Sequence, residues 1–254
     1  MLLAVNIGNS NIRFGIYQEE VCISSWTINT KPYRLEDEHY STFKNIYTQY
    51  NVGVDKVSNI VIGSVVPSQT LPIKDALEKL HLCKAIVVDR NTPSVVSHHS
   101  KQMGTDLYAN AVAAQIGYEG KKVVIDFGTA LTFTGVDENG QIMGVIIAPG
   151  VNTSLNALIG DTAQLSDIVL EKPSVILGKD TQTCMQSGIV YGFLGMIEGL
   201  IDRIKNEYGQ DIKFIATGGL GHVYTPLTQK IDVFNRLHTL DGLKKLYYDA
   251  ISNH

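Results

Sequence analysis

The sequence predicts an α/β protein made of two copies of one mixed-sheet unit. Three observations carry this. A meander of three strands followed by alternating helix and strand occurs twice along the 254 residues. Each copy opens on a buried apolar run that ends in Gly and small polar residues: "VNIGNSN" at Val5 to Asn11, and "IDFGTAL" at Ile125 to Leu131. Near Tyr118 to Lys121 the polar "YEGKK" interrupts the apolar pattern, which sets the expected halves at residues 1–118 and 119–254. A mixed sheet with helices on its faces follows from that element order.

In the first half, "LLAVNIG" reads as a buried strand. "NIRFGIYQ" and "VCISSWTI" read as alternating strands after short turns. The polar stretch Tyr33 to Tyr50 reads as a helix, "NIVIGSVVP" as a strand stopped by Pro67, Leu71 to Leu80 as a helix and "KAIVVD" as a strand. "TPSVVSHHSKQMG" is expected to be loop, and "TDLYANAVAAQIGY" a helix with Thr105 or Asp106 near its N-terminus. In the second half, "KKVVIDFG", "TALTFTGVD" and "QIMGVIIAPG" form the meander, with a turn at "ENG". Helices follow at Val151 to Gly160 and Lys179 to Tyr208, then the strand "DIKFIATGG", one short strand and a helix ending near Asn253. The long helix carries Met185, Ile189, Tyr191, Phe193, Leu194, Met196 and Ile197, more apolar surface than one face needs, which predicts a dimer contact.

Composition bounds the function. The chain is 44% hydrophobic, enough for a sizeable core. A net charge of −4 without runs of like charge gives no basic field for nucleic acid. No apolar run approaches the roughly 18 residues of a membrane span, and "MLLAVNIGNSN" lacks the features of a signal peptide. Cys22, Cys83 and Cys184, scattered and odd in number, suit reduced thiols of a cytoplasmic protein and read as small core fillers.

The two glycine turns point to phosphate. A Gly with no side chain in the way lets backbone N–H groups and hydroxyls converge on one point. Asn9, Ser10, Asn11, Thr129 and Thr132 add donors beside Gly8 and Gly128. Either turn alone could be an ordinary hairpin; both, at matching places of a repeat, suggest a polyphosphate grip. Neither is a dinucleotide fingerprint, and the chain has no P-loop motif. "ATGGLG", Ala216 to Gly221, suits a flat adenine against bare backbone, or a plain turn. Phosphoryl transfer needs a metal and a proton acceptor. Asp126, at a strand end beside the second turn, suits a metal or its water. Asp106 opens a helix whose N-terminus favours its ionised form, which suits a base, or an N-cap. His98 and His99 read as loop residues, with no partners at zinc spacing.

Together these segments resemble the type III pantothenate kinases, members of the acetate kinase/sugar kinase/Hsp70/actin superfamily. "NIGNSNIRFGIY" is similar to that family's first phosphate motif, "IGSVVP" to its Ser-Val-Val-Pro strand end, and "GTDLYANAVAA" to its Gly-x-Asp-Arg helix start. "VVIDFGTALTF" is similar to its second phosphate motif, "GKDTQTCMQSGIVYG" to a long helix, and "IATGGL" to its adenosine motif. The resemblance implies a duplicated ribonuclease-H-like, actin-like ATPase fold. It implies a cytoplasmic enzyme that phosphorylates pantothenate with ATP, the first step toward coenzyme A, using Mg²⁺ and a monovalent cation, K⁺ or NH₄⁺. It implies a homodimer with the pantothenate pocket at its interface. Carried over, Asp106 is the general base; Gly8, Asn9, Ser10, Asn11, Gly128, Thr129 and Thr132 hold phosphate; Gly218 and Gly219 line the nucleotide. Gly104, Thr105, Asp106 and Thr181 face the acceptor, and Asp126, with Asn6 as a weak second, serves the metal.

Two residues depart from the family. Asn6 stands where the family has Asp, and Leu107 where it has Arg. Asn6 can coordinate through its amide oxygen but brings no charge, and Leu107 cannot donate hydrogen bonds. Lys101 or Arg13 is a candidate to supply the missing cation. The alternative is an impaired subunit that forms a heterodimer with an intact paralogue, or a regulatory ATP-binding homologue.

Overall fold

A computed structural model of the chain describes residues 1–50, 53–162, 165 and 167–252. The chain divides into two compact units, Met1–Ile116 with Leu237–His254, and Gly117–Arg236.

The first unit opens with β1 (Leu2–Ile7), β2 (Asn11–Gln18) and β3 (Val21–Asn29), an antiparallel meander. Alternation in β2 sends Ile12, Phe14 and Ile16 to the core with Leu3, Val5 and Ile7 of β1. α1 (Glu36–Gln49) starts with three acidic residues, and Glu38 accepts a hydrogen bond from the Leu35 N–H at 2.9 Å. Negative charge and a satisfied N–H both favour a helix start there. β4 (Asn59–Ser64) runs parallel to β1. α2 (Pro67–His81) begins a turn earlier than the expected Leu71. Pro67 ends the strand and also opens the helix, because the first helical position needs no N–H and proline's φ already suits it. β5 (Ala85–Val88) completes the sheet, and α3 (Thr105–Gly117) follows a long loop.

The second unit repeats the scheme. β6 (Lys121–Phe127), β7 (Ala130–Val136) and β8 (Ile142–Pro149) form the meander. α4 (Val151–Gly160) and α5 (Thr181–Tyr208) follow, then β9 (Ile212–Gly218), α6 (Gly221–Tyr224) and β10 (Val233–Phe234). α5 is opened by Asp180, which accepts from the Thr183 N–H at 2.8 Å while the Thr183 hydroxyl accepts from the Asp180 N–H. α5 is 28 residues long, with a window of mean hydropathy 1.3, so by length and composition it could cross a bilayer, contrary to the expectation that no segment approached that limit. Ile197 and Ile201 of α5 are instead buried against Val123, Ile125 and Phe214 of the sheet.

The sheets have strand orders β3-β2-β1-β4-β5 and β8-β7-β6-β9-β10, the same order twice. Each is mixed: its first two pairings are antiparallel and the rest parallel. The duplicated ribonuclease-H-like fold is therefore present. The last helix, α7 (His238–Ser252), packs on β1, β4 and β5 and so belongs with the first unit, far from it in sequence. The Asn253 at which that helix was expected to end lies outside the described residues. The cysteines are free: Cys83 is half-buried and packs against the core of the first unit, as expected, whereas Cys22 is half-buried outside that cluster and Cys184 is exposed.

Candidate functional site

The predicted residues fall into two sets, one in each unit. In the first, Gly8, Asn9 and Ser10 form the turn from β1 to β2. The Gly8 N–H closes this hairpin on the Asn11 carbonyl at 3.0 Å. The Gly8 carbonyl accepts from the Thr30 hydroxyl at 2.6 Å, and the Ser10 carbonyl from the Thr30 N–H at 2.9 Å. Gly8 thus supplies clearance rather than a donor, and the Asn9 N–H has no acceptor among the described residues. Asn9, Ser10 and Asn11 are exposed.

Asn6, at the end of β1, pairs with Gly63 of β4. A side chain at Gly63 would come within 3.0 Å of the Thr105 Cγ2, so the bare backbone there lets the start of α3 settle on the sheet. Asp106 follows, and its Oδ1 accepts from the Leu107 N–H at 2.8 Å. The same oxygen would be 2.6 Å from a Cβ at Gly104, and Val65 flanks that point. Val65 donates to the Ile7 carbonyl at 3.0 Å. Gly104, Thr105 and Asp106 therefore meet the ends of β1 and β4 at one place. The Asn6 Oδ1 is buried there with no hydrogen-bond partner among the described residues.

In the second unit Asp126 sits in a row across three strands. Thr132 of β7 is opposite it on one side and Thr217 of β9 on the other. One oxygen of Asp126 is buried, as is the Thr217 hydroxyl. Gly218 has φ +94°, and a Cβ on it would lie 2.6 Å from the Asp126 Oδ1 and 2.6 Å from the Phe127 N. The carboxylate thus rests against the bare backbone of Gly218. The Thr129 carbonyl accepts from the Gly150 N–H at 3.1 Å and the Thr153 hydroxyl at 2.7 Å, which holds the positive end of α4 beside the second turn. Among the described residues the Gly128 N–H has no acceptor. Beyond Gly219, a cavity of about 370 Å³ opens between Leu220, His222, Asn152, Asn156 and Asp167. Thr181 is exposed in the first turn of α5. His98 lies in a loop, its Nε2 2.8 Å from the Arg90 carbonyl oxygen.

No three His, Cys, Asp or Glu side chains gather into a metal cage among the described residues. Mg²⁺ commonly binds through one or two protein oxygens plus substrate phosphates and water, and the Asp126 carboxylate of the second unit is an oxygen of that kind.

The sequence reading missed Gly63, Thr217 and the cavity residues of α4. The signal for Gly63 was in view, in "IGSVVP", but a strand glycine alone does not say what approaches it.

Residues 2–203 match the family model described as type III pantothenate kinase. The chain is 39% identical over 251 residues to the type III pantothenate kinase of Agathobacter rectalis, covering 97% of this chain and 96% of that one. It is 37% identical over 250 residues to that of Brevibacillus brevis, covering 97% and 98%. A conserved Campylobacter jejuni protein assigned to the Baf family of transcriptional activators superposes with a TM-score of 0.62 at 18% identity, over 98% of this chain and 99% of that one, a likeness of fold. The length matched and the identity shared lead to one assignment: the chain belongs to the type III pantothenate kinase family.

Proposed function

We propose that this chain transfers the γ-phosphoryl group of ATP to the primary hydroxyl of pantothenate, giving 4′-phosphopantothenate and ADP, the first step of coenzyme A synthesis. The observation that carries it is Asp106, folded over Gly104 at the ends of β1 and β4. Asp106 takes the hydroxyl proton as the oxygen bonds to the γ-phosphorus. The bond from that phosphorus to the β–γ bridging oxygen breaks, and its electron pair leaves with ADP. Positioned proton transfer contributes about 10²–10⁴-fold.

The unengaged Asn9 and Gly128 N–H groups, with Ser10, Asn11, Thr129 and Thr132, hold phosphate. Gly218 and Gly219 take the adenosine, whose ring fits the cavity beside Leu220 and His222. Asp126, and Asn6 more weakly, hold Mg²⁺, which when bound neutralises charge on the β- and γ-oxygens. A monovalent cation, K⁺ or NH₄⁺, belongs to the same reading, as does a cytoplasmic location. Gly104, Thr105 and Thr181 face pantothenate.

The chain works as a homodimer joined along α5. Gly188, Gly192 and Gly195 line one exposed face of that helix, where an added Cβ would meet nothing within 4 Å. Interior helix glycines each cost about 0.5–1 kcal/mol relative to alanine. A second helix packed close to that bare backbone offsets the cost. Exposed Ile147 and Leu177 add apolar surface in the same unit.

The test is steady-state phosphorylation of pantothenate by the purified chain with ATP, Mg²⁺ and K⁺. Turnover is expected, and Asp106→Asn should lower kcat at least a hundredfold with little change in the KM for ATP. A folded dimer without turnover would end the reading.

A further inference from the structure

We propose that Thr30 and Gln69 are positioning residues: through the segment between them they set the first phosphate turn and the strand end beside Asp106 as one unit. The proposal rests on the kinase reading above. Thr30 follows directly on β3, whose last residue, Asn29, is opposite Asn11 at the start of β2. Thr30 is fully buried. Its hydroxyl donates to the Gly8 carbonyl at 2.6 Å and its N–H to the Ser10 carbonyl at 2.9 Å, so one residue holds both ends of the turn. A trans peptide is planar, with its N–H directed opposite to its C=O. The Gly8 carbonyl shares its peptide plane with the Asn9 N–H. Holding that carbonyl on Thr30 therefore turns the Asn9 N–H away from Thr30, where no described residue accepts it. Thr30 touches no substrate in this reading. It aims a phosphate donor by fixing the peptide that carries it.

Four residues on, the same segment is tied to the other end of the site. Gln69, in the first turn of α2, is buried, and its Oε1 accepts from the Arg34 N–H at 3.2 Å and the His39 Nε2–H at 2.9 Å. One amide oxygen thus joins the segment before α1, α1 itself and α2. The Gln69 N–H donates to the Val66 carbonyl at 3.0 Å, and the Val66 N–H to the Ser64 Oγ at 3.1 Å, which fastens the first turn of α2 to the end of β4. Val65, between those two residues, donates to the Ile7 carbonyl at 3.0 Å and flanks the point where Asp106 folds over Gly104.

A short path of hydrogen bonds and backbone therefore runs from the Gly8 carbonyl, through Thr30, Arg34 and Gln69, to the residue beside Asp106. Its anchors are withdrawn from water, and buried polar groups nearly always keep a partner. Loss of either anchor leaves a carbonyl or a donor unsatisfied in the interior, and the turn gives up its geometry to satisfy it.

The test uses the full-length chain with ATP, Mg²⁺ and pantothenate. Thr30→Val keeps the side-chain shape and removes the hydroxyl, whereas Thr30→Ser keeps the hydroxyl. Gln69→Met keeps the length and removes the acceptor. Tyr247→Phe, which loses a hydrogen bond to Asn59 at the opposite end of β4, is the control for a merely structural loss. Thermal melts report folding of every variant. Thr30→Val should raise the calorimetric Kd and the KM for MgATP about five- to fiftyfold. Thr30→Ser should recover most of that loss, and Tyr247→Phe should melt lower with both constants unchanged. Gln69→Met should weaken MgATP in the same direction. The double variant Thr30→Val, Gln69→Met should fall short of the product of the single effects, because both cut one path. If Thr30→Val does not fold, Gln69→Met decides by the same rise in Kd. Folded Thr30→Val and Gln69→Met variants within about twofold of wild type for MgATP would overturn the proposal. Single effects that multiply fully would overturn the coupling. A wild type that binds MgATP but transfers nothing to pantothenate ends the kinase reading and leaves Thr30 to be judged by Kd alone; a wild type that binds no MgATP ends both.

Discussion

Gly218→Ala tests the packing around Asp126 most sharply. Gly218 pairs with Phe127 across the parallel β6–β9 ladder, at φ +94°. An alanine there suffers twice. An L-residue at such a φ costs about 1–2 kcal/mol. Its Cβ would also lie 2.6 Å from the Phe127 N, 2.7 Å from the Phe127 C and 2.6 Å from the Asp126 Oδ1. Those are backbone atoms and a buried carboxylate oxygen, which cannot swing aside as the tip of a flexible side chain would. Overpacking of this kind costs about 1–3 kcal/mol. The total is about 2–5 kcal/mol, a fall in Tm of roughly 4–20 °C for a chain of this size. Gly120→Ala is the control: its φ is +71°, but nothing lies within 4 Å of the added Cβ, so it should lose only the conformational part. Differential scanning calorimetry compares the two, and isothermal titration of ATP with Mg²⁺ shows whether a displaced Asp126 weakens nucleotide binding in the first variant alone. If Gly218→Ala were no less stable than Gly120→Ala, the close packing of Asp126 on the turn at Gly218 would be refuted.

Three further outcomes are expected. Asp126→Ala should weaken binding of MgATP more than of ATP with the metal chelated, by titration calorimetry; equal loss in both would remove Asp126 from the metal. Gly192→Leu should shift the chain from dimer to monomer in light scattering at micromolar concentration while leaving far-ultraviolet circular dichroism intact, and a persistent dimer would place the interface elsewhere. Burial holds the His238 imidazole down to about 4, so the unfolded chain takes a proton below about 6.5 that the native histidine refuses. Stability is then flat above that pH and falls as pH drops from about 6.5 toward 4, by at most about 3 kcal/mol from this group. His238→Gln should flatten that acid limb in urea titrations, leaving the part due to His39 and His81, which burial also lowers; an unchanged slope would refute the assignment.

Strand and helix order, both glycine turns, Asp106 at a helix start and Asp126 at a strand end were legible in the sequence, because each is set by local chemistry. An all-apolar run such as "LLAV" commits to a buried strand, and a turn that needs clearance for the backbone takes glycine. Residue spacing could not say where α7 goes. That helix returns to the first sheet across more than a hundred residues and presses Gly242 against the Ala109 carbonyl of α3, a contact only glycine permits. Nor could it show that Gly63 admits Thr105 and Leu243, or that Arg13 stands opposite an unsatisfied Asn6. Helix and turn preferences act over a few residues and are written in the sequence itself. Strand register and helix docking are settled by the burial of surfaces that meet only when the chain has closed on itself, so the neighbours of each candidate residue belong to the tertiary structure.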